Sequence, residues 1–99
     1  MQSEYAEHFT REMGCSQAEW LEWLPGAVKD CPLVLGLDQA TVSLPCGQLH
    51  LQWEVLPPRR IALVVLPRLR VSFAFESTTP EGRLDFMRYF DLYMQRGGG

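Results

Sequence analysis

Between Gly47 and Leu56 the chain alternates without exception: Leu49, Leu51, Trp53 and Val55 are apolar, and Gln48, His50, Gln52 and Glu54 between them are polar. A period of two describes a strand with one buried face and one wet face. The preceding ATVSL stretch, residues 40–44, alternates more weakly and joins it through Pro45, Cys46 and Gly47, which predicts a β-hairpin. Further on, Leu69, Val71, Phe73 and Phe75 alternate with Arg70, Ser72, Ala74 and Glu76 as a strand of the same kind. Between these strands, LPPRR at 56–60 is expected to turn the chain, the apolar run IALVVL at 61–66 to form a central strand, and Pro67 with Arg68 to turn it again.

Elsewhere the spacing is helical. Tyr5, Phe9 and Met13 recur every fourth residue between Ser3, an N-cap, and Gly14, a stop, which predicts a short amphipathic helix. Ser16 and Glu19 have the spacing of a capping box, and Trp20, Leu21, Trp23 and Leu24 fill the turns behind them. Pro25 and Gly26 are expected to break or kink this second helix, and Pro32 to force extended backbone before it. Thr78 with Glu81, or Thr79 before Pro80, announces a third helix, whose Phe86, Met87, Phe90, Tyr93 and Met94 share one face opposite Asp85, Arg88 and Asp91. The expected fold is therefore α+β: two short N-terminal helices, a three- or four-stranded antiparallel β-meander, and a C-terminal amphipathic helix packed on one face of the sheet.

Ninety-nine residues, 46% of them hydrophobic and 21% charged, fit one domain, read as 1–96 with a glycine tail at 97–99. A flexible glycine end can present a carboxylate to an enzyme; directly after an amphipathic helix it reads as a helix stop. The N-terminus is acidic where a secretory signal starts basic, and no run nears the roughly eighteen apolar residues of a membrane span. Cys15, Cys31 and Cys46 are odd in number and too few to staple a small secreted fold. The expectation is a cytoplasmic protein with free thiols and no membrane partner.

Charge is uneven around its net value of −3: residues 1–31 hold six acids against Arg11 and Lys29, whereas residues 59–76 hold Arg59, Arg60, Arg68 and Arg70 against Glu76. That strip could serve as a weak nucleic-acid surface. Against it, Trp53, Phe73 and Phe75 fall on the face assigned to the core, leaving no stacking platform, and the chain is acidic overall, with a pI near 5.3.

Metal is not expected either. His8, Cys15, Cys31, Cys46 and His50 lack paired-ligand spacing, and along a strand His50 lies about 13 Å from Cys46. No phosphate loop, His-Glu-x-x-His or nucleophile elbow appears, so no catalytic constellation and no cofactor is evident; a small enzyme or accessory subunit using a Cys–His pair is the alternative. What remains is a protein-interaction or assembly module, with a protein partner or self-association. Its candidate surface combines His50 and Gln52 on the wet sheet face, Arg59, Arg60, Arg68 and Arg70 on the strip, and whichever of Trp20 and Trp23 escapes the core.

Overall fold

The computed structural model describes residues 4–97. Its elements are β1 (His8–Met13), α1 (Gln17–Ala27), β2 (Leu33–Leu35), β3 (Gln39–Leu44), β4 (Gly47–Ile61), β5 (Val64–Glu76) and α2 (Pro80–Gln95). The strands form one antiparallel sheet in the order β1-β5-β4-β3-β2, so the fold is α+β with one helix toward each end of the chain.

Register explains the layering. Phe9, Phe73, Leu51 and Ala40 lie side by side across four strands and face one way. The neighbouring row of His8, Ala74, His50 and Thr41 faces the other, as period two requires. Both helices cover the first face. Trp20 of α1 meets the ring of Trp53 edge-on at 5.6 Å, and Phe90 of α2 meets Phe73 at 5.6 Å and Trp20 at 6.1 Å. The helices approach closely at Gly26, where a β-carbon would collide with the hydroxyl of Tyr93. Among the described residues no element covers the second face.

The first expected helix is a strand, and the reason is arithmetic: a spacing of four is also twice a spacing of two. Tyr5, Phe9 and Met13 lie on one side of an extended chain as readily as on one side of a helix. Arg11 conceals the alternation because it faces inward with them. Its guanidinium lies over the rings of Phe9 and Phe73 at 5.5 and 5.3 Å, and bonds to Asp91 of α2 at 2.5 Å. Asp91, expected on the solvent side of its helix, thus faces β1 and also accepts from the Tyr5 hydroxyl.

Helix α1 carries the expected capping box in both directions, Glu19 N–H to Ser16 Oγ and Ser16 N–H to Glu19 Oε1. It continues through Pro25 and ends at Ala27, since the residues beyond turn at Lys29, whose φ is 61°. Helix α2 starts at Pro80 behind an N-cap from Thr79 to the Gly82 amide. It stops where Gly97 takes a φ of 65° and donates to the carbonyl of Met94. The last two glycines lie outside the described residues. Counted against expectation, one N-terminal helix replaces two and five strands replace three or four.

The larger correction concerns residues 56–68. Neither LPPRR nor Pro67–Arg68 is a turn, and IALVVL is no central strand. Strand β4 runs through Pro57 and Pro58 to Ile61, and β5 runs back from Val64 through Pro67. Between Leu56 and Arg59 two prolines oppose one residue, a β-bulge. Proline is tolerated here because β3 and β1 have already ended, so both strands are edges with no outer partner awaiting an N–H. The real turn is Ala62–Leu63, with Ala62 at a φ of 54°, and no glycine or asparagine announces it.

Candidate functional site

Beyond the body of the sheet, β4 and β5 continue alone. Strand β4 loses its β3 neighbour after Gln52, and β5 gains its β1 neighbour only at Leu69. What lies between is a twisted two-stranded arm, paired Val55 with Leu69, Leu56 with Arg68, Arg59 with Leu66, Arg60 with Val65 and Ile61 with Val64. The arm lengthens the molecule to 45 Å against 30 and 24 Å in the other directions. The radius of gyration, 13.7 Å, accordingly exceeds the ~12.6 Å of a compact chain of this length.

The arm is apolar and bare. Leu63 at its tip is fully exposed, and Val55, Ile61, Val64, Val65 and Leu66 each leave between 42% and 63% of their surface to solvent. Ile61, Val64 and Leu66 share the face that continues the open side of the sheet, because each residue pair keeps its register along β5. The β2–β3 turn lies beside the root, where Trp53 donates its amide to the Asp38 carbonyl at 3.0 Å. It adds Leu37, 94% exposed, to the same end of the molecule.

Arginine fixes the root. Arg68 donates to the carboxylate of Glu12 on β1 and, through Nε, to the Pro57 carbonyl at 2.9 Å, which ties the bulge to the sheet. Arg59 lies 3.9 Å from the same glutamate, and Arg70 bonds to Glu54 at 2.5 Å. Arg60 has no partner among the described residues. The basic strip seen in the sequence is therefore mostly structural anchorage for the arm.

The other candidate residues fall elsewhere. Trp20 is wholly buried between α1, Trp53 and Phe90 and is no part of a surface, because its ring closes the centre of the aromatic core. Trp23, on the adjacent side of α1, packs half-buried against that core. His50 and Gln52 sit on the open sheet face, His50 3.4 Å from the Thr41 hydroxyl and 3.7 Å from Glu76. Gln52 borders a shallow polar hollow of about 300 Å³ with Asp38, Arg70 and Ser72. Arg59, Arg60 and Arg68 belong to the arm.

A second hollow, about 380 Å³, opens between the end of α1, the β3–β4 turn and α2, and is lined by Val28, Cys31, Leu44, Cys46, Phe86 and Tyr89. Burial, and then the charge of Asp30, pushes the Cys31 thiol above its ordinary pKa. His8 and His50 lie on the opposite face of the sheet, which stands between them and these thiols. Among the described residues no three His, Cys, Asp or Glu side chains converge as a metal would need, and no helix is long and apolar enough to cross a membrane.

Comparison with known proteins adds nothing to this geometry: no family model matches the chain, and no curated protein or solved structure shows significant similarity to it. The site rests on its own physics. The arm is hidden in the sequence because Pro57, Pro58 and Pro67 read as turn signals. The usable signal was there, since an apolar run of six flanked by prolines and arginines has no polar face with which to meet water.

Proposed function

We propose that the protein is an interaction or assembly module that engages a protein partner through the β4–β5 arm. One observation carries this reading: six large aliphatic side chains stand exposed on a ribbon that, among the described residues, has no helix over it and no strand beside it. Together, over both faces and the tip, they leave roughly 600 Å² of apolar surface to water. At about 25 cal/mol per Å², covering that surface supplies on the order of 15 kcal/mol before the costs of association. A two-stranded hairpin is at best marginally stable in water alone, so a covering partner would also order the arm.

The nucleic-acid reading has less support. Arg59, Arg68 and Arg70 already face carboxylates, and the open sheet face offers no aromatic ring to stack on a base. A reducing, cytoplasmic setting belongs to the same proposal, supported by three cysteines none of which is bridged.

Native mass spectrometry of untagged protein, released gently from its own cells, tests the reading. The expected result is a mass above that of the monomer for the natural chain and the bare monomer for Leu63→Asp, with unchanged far-ultraviolet circular dichroism. A bare monomer for both, or an assembly indifferent to the substitution, would overturn it.

A further inference from the structure

We propose that the arm's partner is a second copy of this chain, the two arms lying antiparallel and face to face in a closed two-fold dimer. The inference rests on the arm being the contact element and specifies what covers it.

Area is the first argument. Ile61, Val64 and Leu66 on one face, Leu63 at the tip and Leu37 together expose roughly 600 Å² per copy, which meets the lower end of what each partner contributes to a specific interface. Self-complementarity is available without any further surface: Ile61, Val64 and Leu66, bordered by Arg59 opposite Leu66, form a face that an identical face can meet across a two-fold axis. In that arrangement Leu63 of each copy reaches the root of the other, where Leu37 stands exposed.

Charge selects the antiparallel orientation. Residues 54–70 carry four arginines against Glu54, a net +3, while the rest of the chain carries five basic and eleven acidic residues, a net −6. Parallel arms would place like charges together. Antiparallel arms instead bring each net-positive arm alongside the net-negative body of the other copy.

Proline restricts the mode of contact. Pro57 and Pro58 on one edge and Pro67 on the other remove backbone donors near the root, so the arm is a poor template for continued strand addition. Contact through side-chain faces closes after two copies; contact through open edges would propagate.

The test is sedimentation velocity of the purified full chain from about 1 to about 300 μM, a range that brackets a dimer of micromolar affinity. The natural chain is expected to pass from monomer to dimer. The triple variant Ile61→Thr, Val64→Thr, Leu66→Thr, which keeps strand-forming residues on the arm, and separately Leu37→Asp, are each expected to raise the dissociation constant at least about tenfold. A natural chain that stays monomeric throughout overturns the proposal, as does a dimer that neither variant weakens. Flotation with vesicles of phosphatidylcholine and phosphatidylserine is run alongside, and a monomer that binds them through the arm overturns it in favour of a lipid surface. Failure here is separable from failure of the module itself: a monomer in isolation that is held by a different protein, arm-dependently, in the native spectrum loses only the second copy.

Discussion

The body of the sheet and the arm are built from the same two strands, yet they obey different rules. In the body, β4 and β5 alternate strictly, and every inward residue from Leu49 to Trp53 and from Leu69 to Phe75 is buried under α1 or α2. Beyond Glu54 the alternation fails, aliphatic residues appear on both faces, and no element among the described residues covers either. A strand that must face water on one side shows it in its period. A strand apolar on both sides is waiting to be covered, and this chain has already used its two helices elsewhere.

The widest separation between the two regions should appear in stability. Trp20→Ala removes the centre of the aromatic core and is expected to cost about 3–5 kcal/mol. Leu63→Asp, on the fully exposed tip, should change stability by no more than about 0.5 kcal/mol. Urea midpoints of the two variants check this, and comparable losses would mean that the arm is part of the folding core.

A smaller contrast lies in pH. Burial, followed by the Glu19 charge, pushes the Cys15 thiol up to about 11 from an ordinary 9.0. The folded state thus holds this proton more tightly than the unfolded chain does. Its contribution is complete below about pH 9 and is lost as pH rises from about 9 to about 11, on the order of 2 kcal/mol. Tyr5, raised by burial and then by its bond to Asp91, adds an alkaline loss of the same sign. Denaturation at pH 8 and pH 10.5 should show the fall, and Cys15→Ala should flatten part of it. An identical slope in that variant would assign the loss to other groups.

The finest distinction is local. Arg68→Ala cuts the tie between the Glu12 carboxylate, the Pro57 carbonyl and β5, and should lower global stability by about 1 kcal/mol or less. Amides of the arm should then exchange with deuterium faster while those of the body keep their rates. Uniform acceleration would show that arm and body open as one unit.

How much of this was legible depended on how far a residue's neighbours lay along the chain. The alternation of β4, the Ser16–Glu19 capping box and the apolar stripe of α2 are local patterns, and each formed where its spacing indicated. Strand β1 was hidden because Arg11 occupies an inward position. That is tolerable only with Asp91, eighty residues away in sequence, to neutralise it. The arm was hidden because Pro57, Pro58 and Pro67 signal turns wherever neighbouring strands continue, and here they do not.

By itself, then, the sequence determined which segments alternate, where two helices begin, and that the fold is α+β with a core rich in aromatic rings. Those features follow from interactions a few residues long. Only the tertiary structure decided that the first stripe is a strand, that both helices crowd one face, and that β4 and β5 outrun their neighbours to leave an apolar arm. Burial is a property of what lies across space, and no local period records where a neighbouring strand will end.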